Sequence, residues 1–430
     1  MKKELNSSKL DLTPHEIWYL ITLLAIALFL HSLFYSLAIW PGDLDLIRFV
    51  ERSNAALDGK ISYRDTELLT DPKPFWTYIL AIWLFFCRTT TQILLNIENT
   101  NSYDLEFTKI LLIIANSIMI VVLFLVSKDL FSSKAAYLTS GFYAINLFPL
   151  ILCSVVGKYD VIPALFALIA FWMVTKVKLR LSALFLAIGT LFKYLAILPL
   201  PILLIFLWRK ERDQKLIYSY LMTFGATCFT LTSPFLFINA EKFISSTVSI
   251  FILRETHGPN SYYHPYYHIP SQFHIIFPFI FLTLIGVYTF KKECISNYDL
   301  VMLLFIESSL FIFTNKSFLS QYFLYILPYL ALIFPNMLLS KNKLCVTFER
   351  ISLAFSMILL PNLFSYAFLK FFIKQQTISF DNFTLSELFN SSFTYELIGS
   401  LDGRVFIICF SIIILISILY FLNTQEPIRV

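Results

Sequence analysis

What this chain lacks most is charge. Asp, Glu, Lys and Arg make up 14% of its 430 residues, where a soluble protein carries roughly a quarter. With 58% hydrophobic residues, that excludes an ordinary soluble globule. Cysteine is sparse: Cys87, Cys153, Cys228, Cys294, Cys345 and Cys409 stand alone. No CxxC pair and no Cys/His metal spacing occurs, which argues against a disulfide framework or a structural zinc. There is no basic tail and no nucleic-acid motif. The net charge of +5 is spread through short loops and reads as a topology signal. No internal repeat is visible, whereas many transporter folds carry two related halves. The first apolar run, 16–40, is too long for a signal-peptide core and lacks a small-residue cleavage site, so it reads as a retained helix.

What is present in quantity is apolar sequence in runs near the roughly 20 residues that cross a bilayer. The 46 Phe and 23 Tyr suit lipid-facing and interfacial positions. The expected fold is all-α: one polytopic transmembrane domain over 1–430. Candidate spans lie near 16–40, 106–127, 135–154, 159–176, 216–238, 271–290, 298–314, 319–339, 345–373 and 404–422. Lys and Arg in short loops mark the cytoplasmic side, here 1–9, 127–134, 176–180, 209–215, 291–293 and 341–343. The pattern predicts about twelve crossings, both termini cytoplasmic, and three large outer loops at 41–105, 239–270 and 374–403.

Two stretches resist a simple count. From Pro74 the apolar run is interrupted at Arg88, and about fourteen apolar residues are too few to cross. The following segment holds Glu98, Asp104 and Glu106 and no Lys or Arg, so positive-inside logic leaves it outside. Residues 74–96 are therefore predicted as an interfacial or re-entrant helix. The stretch 181–208 lies between two basic loops, so both its ends should be cytoplasmic. A pair of short helices broken at Lys193 and Pro199/Pro201, with Lys193 near the outer surface, satisfies that. Irregular backbone at such depth is tolerated only where it lines a cavity or is buried in protein.

The candidate chemistry sits on the predicted outer face. Gly42-Asp43-Leu44-Asp45 opens the first outer loop. Leu46, Phe49, Val50, Ser53, Ala56 and Leu57 then fall on one helical face, with Arg48, Glu51 and Arg52 elsewhere, which is an amphipathic surface helix. Asp43 and Asp45 can serve as a general base and an orienting or metal-binding partner, or simply as an N-cap and a solvated loop acid. In Asp71-Pro72-Lys73-Pro74 the prolines fix an extended approach, and Lys73 either snorkels or meets a lipid phosphate. Asp160, after Gly157-Lys158-Tyr159, either complements a helix dipole or positions substrate. Lys193 is an intramembrane cation that requires an anionic partner. Arg254, His257, His264 and His268 sit among tyrosines in the second outer loop, either as an aromatic belt or with the histidines as metal ligands. Lys316, Gln321 and Tyr322 sit at the outer end of a span. Sequons at Asn382 and Asn390 are too common to carry weight.

In this order the strings resemble the GT-C class of multi-spanning glycosyltransferases, which use polyprenyl-phosphate sugars. The marks are the acidic pair after the first helix, Gly59-Lys-Ile-Ser-Tyr63 with Lys73-Pro74, Gly157-Lys-Tyr-Asp160, Phe192-Lys193-Tyr194 followed by Pro, and Asn315-Lys316 with Ser320-Gln321-Tyr322. Arg254-Glu-Thr-His257, Ser261-Tyr-Tyr-His-Pro-Tyr266 and Ser320-Gln-Tyr-Phe-Leu-Tyr325 are most similar to the transferases of the first glycosylphosphatidylinositol mannose and their prokaryotic polyprenol-phosphate relatives. There are departures. No aromatic follows the second acid of the first motif, and the Lys73-Pro74 string is closer to the lipid-A aminoarabinose and protein-O-mannosyl transferases. The resemblance covers most of 16–340.

The resemblance implies a hexosyltransferase with a polyprenyl- or dolichyl-phosphate sugar donor and a lipid, glycan or protein acceptor. It would act on the non-cytoplasmic face of a prokaryotic cell membrane or of the endoplasmic reticulum. Asp43 would deprotonate the acceptor and Asp45 would assist. Lys73, Lys193, Arg254, His257 and Lys316 would bind the donor phosphate, while Lys158, Asp160, Gln321 and Tyr322 would position substrate. A divalent Mg or Mn ion could sit on Asp43, Asp45, His264 and His268. Two rivals remain: a flippase or secondary transporter of lipid-linked sugars, and a scaffold subunit without the outer cluster.

Overall fold

A computed structural model of the chain describes residues 11–37, 44–65, 73–97, 100–252, 280, 283–284, 286–287, 289–290, 295–314, 322–339, 379–380 and 383–384. The apolar runs fold as helices: α1 (Pro14–Leu37), α2 (Leu44–Leu57), α3 (Pro74–Leu95), α4 (Asp104–Leu130), α5 (Ser133–Ala144), α6 (Leu147–Ile151), α7 (Val161–Thr175), α8 (Leu179–Phe192), α9 (Leu200–Glu211), α10 (Gln214–Ile252), α11 (Asn297–Thr314) and α12 (Phe323–Leu339). The pair β1 (Ser379–Phe380) and β2 (Phe383–Thr384) is antiparallel, with Phe380 opposite Phe383. Among the described residues four helices are long and apolar enough to cross a membrane: Pro14–Ser36, Pro74–Leu95, Asn101–Leu130 and Gln214–Thr247. Ser133–Ala144 with Leu147–Val156 passes as a bent pair.

Among the described residues the predicted spans have a helix at their place, and the differences have local causes; the predicted spans at 345–373 and 404–422 lie outside the described residues. The span at 135–154 is two helices bent by 44°. The bend falls at Asn146, whose Oδ1 accepts the Phe148 N–H at 3.0 Å and so caps α6. The second half then loosens into a π-helical turn, Leu152–Val156. The span predicted to end at 238 instead bends at Asn239, where the backbone is extended (φ −162°, ψ 90°), and helix resumes to Ile252. The predicted break in 181–208 is present: Lys193 is extended (φ −158°, ψ 127°) between α8 and a 3-10 turn.

The helix α3 runs straight through Arg88, so Arg88 is not a helix boundary and the run is not too short for a span. The reason is electrostatic. Arg88 Nε donates to Asp104 Oδ1 at 2.9 Å, and its second nitrogen donates to Asp104 Oδ2 and Asn54 Oδ1, both at 2.6 Å. A bidentate carboxylate partner lets the guanidinium sit against α2 and the start of α4. This knot lies opposite the pair of Glu16 and Lys128 (2.6 Å), which ties the start of α1 to the end of α4. The C-terminal half of α3 is thereby held at the start of α4. Trp83 Nε1 donating to the Phe107 carbonyl at 2.7 Å holds its middle there too.

The core forms around α7. Its Ala164, Ala167 and Ala170 are buried, and small residues of this kind let helix backbones approach closely. In α8, Gly189 does the same: a Cβ there would stand 2.9 Å from the Phe166 Cβ and 3.3 Å from the Pro163 carbonyl. α7 and α8 thus run antiparallel in close contact, and the end of α8 meets the start of α7. The amphipathic pattern of α2 is also present, with Leu46, Phe49, Val50 and Ser53 buried. Its apolar face packs on protein, as Ser53 Oγ donating to the Thr77 carbonyl of α3 at 3.0 Å shows.

Candidate active site

Chain ends at one end of this bundle are brought together: the first turn of α2, the N-terminus of α3, the turn before α7, the C-terminus of α8 and the approach to α12. Gly157 makes the turn before α7. It takes a left-handed backbone (φ 77°), and a Cβ there would overlap the Leu46 side chain of α2. Only glycine meets both conditions without strain. The turn presents Lys158, Tyr159 and Asp160 side by side.

Asp160 precedes α7 but makes no capping bond to it. Its Oδ1 instead accepts from Lys193 Nζ at 2.5 Å, with the side chains 0% and 4% exposed. This is the anionic partner that an intramembrane lysine requires. Lys193 Nζ also stands 4.9 Å from the centre of the Tyr322 ring and 5.5 Å from that of Tyr159. Lys73, at the N-cap of α3, places its ammonium 5.1 Å from Tyr159 and 5.3 Å from Phe49. Lys158 Nζ donates to Asp45 Oδ2 at 3.0 Å. Tyr159 is the centre of the cluster, stacked on Trp76 (4.9 Å, 11°) and edge-on to Phe49 (5.3 Å).

Among the described residues, these three ammonium groups stand near the carboxylates of Asp45 and Asp160. The effect shows in the titration of two groups. Burial would raise Asp45, but the Lys158 ammonium above all, with Lys73 and Lys193, holds it below the usual carboxylate range. Lys73 is brought down to about 7, first by burial and then by the Lys193 ammonium, against the raising pull of Asp160 and Asp45.

Of the residues expected to act, the structure joins Asp45, Lys73, Lys158, Asp160, Lys193 and Tyr322. Asp43, Arg254, His257, His264, His268, Lys316 and Gln321 lie outside the described residues. Among the described residues no group of three or more His, Cys, Asp or Glu side chains is placed to hold a metal. Sequence reasoning passed over Trp76 and Tyr159, although Tyr159 lies inside a string it quoted, because aromatics in an apolar chain read as belt or core. It also passed over His31, which an apolar span should have flagged. Asn116 Nδ2 lies 3.0 Å from His31 Nε2, His31 Nδ1 meets Ser154 Oγ, and the Tyr143 hydroxyl donates to Asn116 Oδ1 at 3.0 Å. This buried chain anchors the π-helical turn just before Gly157.

Residues 92–238 match the dolichyl-phosphate-mannose-protein mannosyltransferase family. The match supports a GT-C-like, membrane-bound glycosyltransferase that uses a polyprenyl-phosphate sugar. It spans Lys158, Tyr159, Asp160 and Lys193, starts after Asp45 and Lys73 and stops before Tyr322. A search of curated proteins finds no match to the chain.

Proposed function

We propose that this protein transfers a hexose, with mannose the first candidate, from a polyprenyl- or dolichyl-phosphate carrier to a hydroxyl of a protein, glycan or lipid acceptor. The observation that carries the proposal is the buried cluster of Lys73, Lys158 and Lys193 around Tyr159, set at the ends of apolar helices. The depth fits a lipid phosphate. α8 has 14 residues and rises ~21 Å from its basic end, against a hydrocarbon core of about 30 Å. Lys193 then lies below the far surface, within reach of a headgroup.

In the reaction, the acceptor oxygen forms a bond to the anomeric carbon as the bond from that carbon to the phosphate oxygen breaks. The acceptor proton passes to a carboxylate, and polyprenyl phosphate leaves with one more negative charge. A single displacement inverts the anomeric configuration. Preorganised ammonium groups stabilise the leaving phosphate most where charge develops. The base is Asp43. Asp45 is the poorer base, because its neighbouring lysines favour the carboxylate form, and it orients Lys158 instead. Arg254, His257 and Lys316 complete the phosphate site, and Gln321 with Tyr322 positions substrate. The chain is one transmembrane domain of about twelve crossings, with α2 and α3 lying along the outer face, where the site opens.

The test is turnover of labelled polyprenyl-phosphate mannose by purified protein with candidate acceptors, beside an Asp43→Asn variant. Labelled product from the parent and about a hundredfold less or lower from the variant is expected. Equal product from both removes Asp43 as base, and a parent without product on any donor removes the enzymatic reading.

A further inference from the structure

The structure leaves four buried polar atoms without a hydrogen-bond partner around the Lys193–Asp160 pair: Trp76 Nε1, Tyr159 Oη, Asp160 Oδ2 and Tyr325 Oη. Trp76 and Asp160 are 0% exposed, and Tyr159 and Tyr325 are 5% and 4%. They come from α3, the turn before α7, and α12, and their residues neighbour one another. The Trp76 and Tyr159 rings stack, and Tyr325 lies within electrostatic reach of Asp160, Tyr159 and Tyr322. Buried polar groups in folded proteins are almost always paired, so four orphans at one place point to an absent ligand.

Their chemistry says which part of a ligand. The indole N–H donates only, the carboxylate oxygen accepts only, and the two phenols do either. Sugar hydroxyls donate and accept and complement this set. A phosphate accepts only, and Asp160 Oδ2 repels it; its place is beside the ammonium groups. Resting on the glycosyltransferase reading above, we infer that Trp76, Tyr159, Asp160 and Tyr325 form the subsite that holds the donor's glycosyl ring and reads its hydroxyls. The phosphate lies alongside, toward Lys73 and Lys193. A site built to bond a particular hydroxyl rejects the analogue lacking it far more strongly than an apolar pocket rejects a missing methylene.

Full-length protein in lipid nanodiscs would be assayed with polyprenyl-phosphate mannose, polyprenyl-phosphate glucose and the monodeoxy mannose donors. The parent, Trp76→Phe and Tyr325→Phe would be compared: Tyr325→Phe deletes the hydroxyl alone, and Trp76→Phe deletes the indole N–H while keeping a smaller aromatic ring. Thermal unfolding of each reports the fold. The expected result is a fall of about 10- to 100-fold in kcat/KM for the mannose donor in each variant. That fall should vanish for the one deoxy donor lacking the hydroxyl the deleted atom reads. An equal fall on every donor, or no fall in either variant, overturns the subsite. If the parent turns over no lipid-linked sugar, the function proposed above fails first. An active parent whose variants show no donor-specific loss sinks the subsite alone.

Discussion

Removing Lys193 and removing Asp160 should not be equivalent, and removing both should be milder than either. Taking one partner from a buried ion pair costs about 3–5 kcal/mol, because the survivor is left charged and dry. The two survivors differ here. With Lys193→Met, Asp160 has no bonded oxygen, since Oδ2 already lacks a partner, which places the loss toward about 5 kcal/mol. With Asp160→Leu, Lys193 keeps the Tyr322 and Tyr159 faces, and desolvated cation–π contacts are worth about 2 kcal/mol. That places the loss toward about 3 kcal/mol. The double variant replaces the pair by apolar side chains of similar size and should fall within about 1–2 kcal/mol of the parent. The coupling these losses imply, about 6–7 kcal/mol, is read by chemical unfolding in mixed micelles, with sugar transfer measured on the same samples. All three variants should be inactive. Additive losses would refute the ion pair as drawn, and an active double variant would show that the pair only supports the fold.

Other outcomes follow from the same geometry. In the donor-free protein Lys73 loses its proton near pH 7 and a phosphate binds the protonated form, so donor kcat/KM should fall as pH rises through about 7. Lys73→Arg, cationic throughout, should flatten that limb, and a limb unchanged in Lys73→Arg assigns it elsewhere. Gly157→Ala should destabilise more than Gly59→Ala. Both glycines have positive φ, but only the former would meet Leu46, so Gly59→Ala should cost about 1–2 kcal/mol and Gly157→Ala more, by chemical unfolding. His31→Ala should lower kcat through the turn it anchors without raising donor KM, and a pure KM effect would contradict that role. A cysteine at Ser102, exposed just before α4, should react with impermeant thiol reagents only from the non-cytoplasmic side. Labelling from the cytoplasm would instead make α3 a crossing.

Helix ends were legible wherever charge marks them. Basic loops at 176–180 and 209–215 fix the ends of α7, α8, α9 and α10, and the even number of crossings they demand forces the break at Lys193. That Lys193 needs a counter-ion was also legible, from the cost of a bare cation in an apolar chain. Its identity was not: Asp160 lies 33 residues away and looked like a helix cap. Arg88 misled for the same reason, because periodicity cannot see Asp104 folding back onto it. The bend at Asn146 escaped notice because it sits in no Gly- or Pro-rich break, whereas the break at Asn239 falls where the predicted span ends. Tyr159 and Trp76 were hidden by abundance, since in a chain with 46 Phe and 23 Tyr one stacked pair carries no compositional signal. Asp43, the residue on which the base assignment rests, lies outside the described residues, so that assignment stands on the sequence.

The most direct test of the central claim is stoichiometry in proteoliposomes loaded with a labelled polyprenyl-phosphate hexose and an acceptor. The account predicts one polyprenyl phosphate released for each sugar appearing on acceptor, with the anomeric configuration inverted. Intact donor moving between leaflets, with neither released carrier nor glycosylated acceptor, would contradict it and make this protein a transporter of lipid-linked sugars.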